Sequence, residues 1–68
     1  MSVLKVVEIL GNSKVSFEDA VNNVVKESSK TIKNIKSVYV QDMQVTVNHN
    51  AIAEYRVTTK VCFGIMQD

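Results

Sequence analysis

Val45-Thr46-Val47-Asn48-His49-Asn50-Ala51-Ile52-Ala53-Glu54-Tyr55-Arg56-Val57 is the stretch that decides the fold. Two β-rich runs flank Asn48-His49-Asn50, residues that tolerate a left-handed backbone and so suit a tight turn. Working outward, one strand covers residues 37–48 and the next runs from about Ile52 to Met66. In the later strand Ala53, Tyr55, Val57, Thr59, Val61, Phe63 and Ile65 share a face. That is the cleaner apolar pattern, and it is expected against a helix. Ile52, Glu54, Arg56, Thr58, Lys60, Cys62 and Met66 share the other face, a mixture that suits an interface or a lined pocket. In the earlier strand Val38, Val40, Asp42, Gln44 and Thr46 point one way. Tyr39, Gln41, Met43, Val45 and Val47 point the other way.

Upstream lies the helix. Ser16 opens it as N-cap, and Asp19 stands three residues on, where its carboxylate can reach back to the cap. Glu18 and Asp19 suit the positive end of the helix dipole. Phe17, Ala20, Val21, Val24, Val25, Ser28 and Ile32 follow a 3.6-residue period, opposite Asn22, Asn23, Lys26, Lys30 and Lys33. The pattern predicts a helix over about residues 16–33, about 27 Å long. Val3-Leu4-Lys5-Val6-Val7-Glu8-Ile9-Leu10 reads as a first strand, with Gly11-Asn12-Ser13 ending it. The order is β-α-β-β, an α+β protomer whose three-stranded antiparallel sheet partly wraps one helix. One helix covers one side of that sheet, so Tyr39, Met43, Val45 and Val47 are expected to be left on the other.

The chain of 68 residues is one domain, residues 1–68. At this size folding hides only about 60% of the extended chain's surface. A single cysteine gives no intrachain disulfide and too few thiols for a cysteine-based zinc site. Burial between copies of the chain is the remaining stabiliser, which predicts a homo-oligomer. Apolar residues make up 46%, too many for a disordered tail, and no apolar run is long enough to span a bilayer. Eight basic against seven acidic residues give a net charge of +1, which argues against nucleic acid as a partner. The expectation is a soluble cytoplasmic protein with no membrane partner.

Catalytic signals are weak. His49, the one histidine, falls in the turn. Cys62 lies between Val61 and Phe63 with no cationic partner to activate it, and reads as a packed small hydrophobe. Ser28 and Ser29 lack a base at useful spacing, and with no second histidine and no paired catalytic acids no enzyme activity is expected. The acids match no EF-hand spacing. Lys26, Lys30, Lys33 and Lys36 suit the negative end of the helix dipole, with a phosphate-binding patch as the alternative.

The whole chain resembles the dodecin family of small flavin-binding proteins. The resemblance is carried by Val3 through Ser13, by Ser16-Phe17-Glu18-Asp19-Ala20-Val21, by Val38-Tyr39-Val40-Gln41-Asp42, by Glu54-Tyr55-Arg56-Val57 and by Lys60-Val61-Cys62-Phe63. It implies a hollow homododecamer that stores or sequesters riboflavin or FMN at subunit junctions without turnover. The candidate cofactor-binding residues it implies are Ser37, Thr46 and Arg56. Archaeal-type dodecins place a stacking tryptophan where Ser37 stands. Ser37 offers no π-surface, a loss on the order of 1 kcal/mol per aromatic contact. Arg56 stands where those proteins carry a glutamine; it donates but cannot accept, and it adds a charge. Thr46 replaces an acidic residue. Val40-Gln41-Asp42-Met43 and Tyr55-Arg56-Val57 are closer in texture to calcium dodecins, which implies calcium or another divalent ion as the alternative ligand, with no metal-ligating residue assigned. The alternative function is therefore a dodecin-like particle that binds ions, another small ligand or a protein. Twelve copies of a 7.6 kDa chain weigh about 90 kDa, and light scattering is expected to return that mass; a monomer's mass would contradict the resemblance.

Overall fold

A computed structural model describes residues 3–65. The expected stretch from Ile65 to Met66 ends outside the described residues at Met66. Strand β1 spans Leu4–Ser13, helix α1 Phe17–Ser28, strand β2 Ile35–Asn48 and strand β3 Ala51–Gly64. The sheet order is β1-β3-β2, with both pairings antiparallel. The β-α-β-β order and the long hairpin agree with the sequence. His49 (φ 53°) and Asn50 (φ 62°) both take the left-handed conformation between the paired Asn48 and Ala51. A two-residue loop with both φ positive matches the right-handed twist of its strands.

Strand β3 is central and shows the expected alternation most cleanly. Val57, Thr59 and Val61 are fully buried beneath the helix, joined by Ala20 and Val24. Val7, Ile9, Val38 and Val40 pack around them from the flanking strands. Thr59 satisfies its buried hydroxyl by donating to the Ile9 carbonyl at 2.6 Å. Phe17 closes the N-terminal end of the core edge-on against Tyr55, with ring centroids 5.1 Å apart.

Three expectations are corrected. The first strand does not stop at Gly11; it continues to Ser13. Gly11 is buried where the helix crosses β1. A Cβ there would lie 2.5 Å from Val24 Cγ2 and 2.7 Å from the Ala20 carbonyl oxygen. The glycine supplies space rather than a left-handed turn, since no described glycine has positive φ. Ser13 then organises the corner. Its hydroxyl donates to Asp19 Oδ2 at 2.6 Å and accepts from the Val15 N–H at 2.8 Å. Ser16 caps the Asp19 N–H as expected, while the Asp19 carboxylate turns to Ser13.

The helix ends at Ser28, not near residue 33. The Ser28 hydroxyl donates back to the Val24 carbonyl at 2.6 Å and the Ser29 hydroxyl to that of Val25. Such back-bonding competes with the helical ladder. The Lys30 and Thr31 N–H groups then take tighter three-residue bonds, and Asn34 (φ 62°) turns the chain into β2. The helix is therefore about 18 Å long. It packs on β1 and β3 and barely reaches β2.

The face assignment in β2 holds only to Val40. A bulge between Val40 and Asp42 shifts the register by one residue, and a one-residue shift exchanges the faces. Met43 pairs with Val57 and Val45 with Tyr55, so both lie on the helix side. Asp42, Gln44 and Thr46 lie on the outer side, opposite Thr58, Arg56 and Glu54. Met43 is nevertheless 61% exposed, because the short helix does not extend over β2. Beyond the end of β1 the hairpin continues as a two-stranded arm carrying exposed Val47 and Ile52. The protomer is long and thin, 52 × 19 × 14 Å.

Gly11→Ala is expected to destabilise the protein by about 1–3 kcal/mol, since a methyl group there meets helix backbone as well as a side chain. A lower urea midpoint at fixed protein concentration checks it. An unchanged midpoint would mean that the helix shifts freely on β1.

Candidate functional site

The outer face of the sheet carries the candidate residues. Reading across β1, β3 and β2, Val6, Cys62 and Ser37 form one row, and Glu8, Lys60 and Tyr39 the next. Leu10, Thr58 and Asp42 follow, then Asn12, Arg56 and Gln44, and last Glu54 with Thr46. The upper rows mix open apolar side chains with charged ones: Leu4, Val6, Leu10 and Tyr39 are all more than half exposed, and Glu8, Lys60 and Asp42 stand among them. The lower rows are polar.

Arg56 is the best-defined side chain of this face. Its Nε donates to Asn12 Oδ1 at 2.9 Å, a bond between residues 44 apart in sequence. Asn12 is tied in turn to the helix, its carbonyl accepting from Asn23 Nδ2 at 2.9 Å. One Arg56 Nη lies 4.0 Å from Glu54 Oε1, close enough to offset charge but beyond hydrogen-bond reach. Thr46 is diagonal to Arg56 across the β2–β3 ladder and half-buried. On β3, six residues separate the partners of Ser37 (Cys62) and Gln44 (Arg56). At about 3.4 Å per residue, Ser37 and Arg56 are roughly 20 Å apart.

The fold thus brings Thr46 and Arg56 together and leaves Ser37 well away from both. A single chain encloses no cavity among the described residues. Ser37 and Arg56 of one chain are too far apart for one flat ring to meet both, so a ring that met both positions would take them from different chains. Asn12, Gln44 and Glu54 were not singled out by the sequence, because their closeness to Arg56 appears only once the β1–β3 and β2–β3 registers are known, and Asn23 enters only through its bond to the Asn12 carbonyl. The remaining candidates stay bland: His49 sits in the turn, and Lys30 pairs with Glu27 at 3.1 Å on the solvated helix end.

The dodecin model matches residues 3–66. This chain belongs to the dodecin family. It is 30% identical over 63 residues to the calcium dodecin of Mycobacterium tuberculosis, covering 93% of this chain and 89% of that protein. The solved dodecin from Streptomyces davaonensis superposes with a TM-score of 0.91 at 28% identity, covering 96% of both chains. The solved M. tuberculosis calcium dodecin, described as having a novel calcium-binding site, gives a TM-score of 0.83 at 27% identity over 98% of this chain and 96% of that one. As a dodecin protomer the chain self-associates into a dodecamer, and it is a binding protein, not an enzyme. The exposed apolar side chains of the outer face, Leu4, Val6, Leu10 and Tyr39, are what such association can bury.

Residues present at the site fit a flavin in part. Arg56, Gln44 and Thr46 supply donors and acceptors for a ring edge. Position 37 supplies no aromatic platform. For a metal, no group of three or more His, Cys, Asp or Glu side chains comes together among the described residues. Glu8, Asp42 and Glu54 share the outer face but stand in separate rows.

Proposed function

We propose that this dodecin is a shell that sequesters a small ligand without turnover, at sites formed where the outer sheet faces of neighbouring protomers meet. The carrying observation is the separation on that face: polar Arg56 and Thr46 at one end, Ser37 near exposed Val6 and Tyr39 at the other. A ligand spanning both positions is shared between chains. Riboflavin and FMN are the ligand class, in keeping with the family resemblance, held at the polar end by Arg56 and Thr46 and bordered by Ser37. Without a ring at position 37 the affinity is modest. We place the shell in the cytoplasm, where a lone thiol such as Cys62 stays reduced.

The second reading is calcium. The 30% identity to a calcium dodecin favours it. The dispersed outer-face acids mean that an ion would have to be shared between chains or held by carbonyls.

Fluorescence quenching of riboflavin and FMN by the assembled protein tests the flavin reading. Ser37→Trp is expected to tighten binding roughly fivefold to tenfold, equivalent to about 1–1.4 kcal/mol of restored stacking. No quenching at tens of micromolar by either the unaltered protein or the variant would overturn it. Calorimetric titration of chelator-treated protein with calcium decides the second reading: saturable heat supports it, and none removes it.

A further inference from the structure

Arg56 is buttressed on one edge only. A guanidinium carries five N–H donors. Its Nε–H is committed to Asn12 Oδ1 at 2.9 Å. The Nη groups face Glu54 at 4.0 Å, a distance that leaves their donors without a hydrogen bond to it. The side chain is 34% exposed, so the free edge is open. Asn12 is itself held to α1 through Asn23, which fixes the direction of the fork. The neighbours across the strands, Gln44 and Thr46, are neutral and offer further donors. A guanidinium oriented in advance, with a free pair of Nη donors and neutral donors beside it, is the arrangement that binds an oxoanion in bidentate fashion.

We infer that the Arg56 end of the junction site is selective for an anionic oxygen group, a phosphate or carboxylate on the ligand, and that Asn12 is the positioning residue that aims the Arg56 fork at it. Glu54 sets the cost of this selectivity: at 4.0 Å it lowers the net charge of the pocket without occupying the fork. Charge alone would be met as well by lysine; a fork is not. The inference deepens the junction-site reading and depends on it for the location of the ligand.

FMN and riboflavin differ by one phosphate, so their ratio of affinities isolates the anion contribution. The assembled protein is expected to bind FMN at least about tenfold more tightly than riboflavin at low ionic strength, in line with charge-assisted hydrogen bonds, and salt should shrink that ratio. Arg56→Gln should bring the ratio to about one, and Arg56→Lys should leave it well below that of the unaltered protein. Asn12→Ala retains the charge but releases the fork, and should lower the ratio severalfold; it also keeps the readout should Arg56→Gln fail to assemble. Equal affinities for the two flavins in the unaltered protein, or a ratio insensitive to Arg56 and Asn12, would overturn the inference. A second probe separates this outcome from failure of the flavin reading. Millimolar inorganic phosphate, compared with sodium chloride at matched ionic strength, should raise the thermal midpoint of the unaltered protein and not that of Arg56→Gln or Asn12→Ala. If neither flavin binds but that shift is present and depends on both residues, the flavin reading fails and the anion site stands. A phosphate shift equal in all three proteins, or absent from all, overturns the anion site.

Discussion

Everything in this protomer depends on how closely the helix can approach the first strand. Gly11 has no side chain, and the Ala20 carbonyl and Val24 methyl occupy the volume a Cβ would need. That contact seats Ala20 and Val24 directly on Val57 and Val61, and these four are the fully buried apolar core among the described residues. The core is tight but thin. A 12-residue helix over strands of 10 and 14 residues leaves most of the sheet uncovered. The chain exposes 4911 Å², where a compact monomer of its mass would expose about 4,300 Å². Its radius of gyration, 13.8 Å, exceeds the roughly 11 Å of a globular chain of this length. An apolar surplus of this kind is met by sister chains, and assembly is therefore part of the fold's energetics.

How much of this could be read from the sequence follows from where each strand sits. Strand β3 is hydrogen-bonded on both sides and lies under the helix, so its alternation is regular and its buried set, Val57, Thr59 and Val61, is legible. Strand β2 is an edge strand, and edge strands accept bulges. One extra residue near Gln41 reverses the faces of Met43 and Val45, and hydrophobic alternation contains no mark of that insertion. Gly11-Asn12-Ser13 was open to the opposite error. Glycine, asparagine and serine are turn residues by propensity, yet here each is used for tertiary contact: space for the helix, a partner for Arg56, and a clamp on Asp19. The helix end was obscured in a similar way, because Ile32 continues the apolar period although the Lys30 and Thr31 N–H groups have already changed to three-residue bonds.

Of the candidate site, the sequence offered residues and no geometry. Arg56, Thr46 and Ser37 all fall on the outer face, but their spacing along the sheet is a consequence of register. Register also supplies the partners of Arg56, since Asn12 reaches it across β1–β3 from 44 positions upstream. No local pattern carries that information.

The same thinness that forces assembly also decides where binding can occur. A core of four small aliphatic side chains has no room for a cavity, and a void there would cost more than this protomer can lose. The outer face is different. Its exposed apolar side chains, Leu4, Val6, Leu10 and Tyr39, are what other copies can cover, so a ligand inserted there fills space that assembly creates. Placing the polar rows at the far end of that face keeps Arg56 out of the apolar contact and leaves its free edge at the margin, where a partly hydrated charge is tolerable. Exposed apolar side chains that association buries and a polar end that selects what lies between the copies are thus two parts of one sheet face: β1 and β2 give Val6, Leu10 and Tyr39 to its upper part, and β3 gives Arg56 and Glu54 to its lower end.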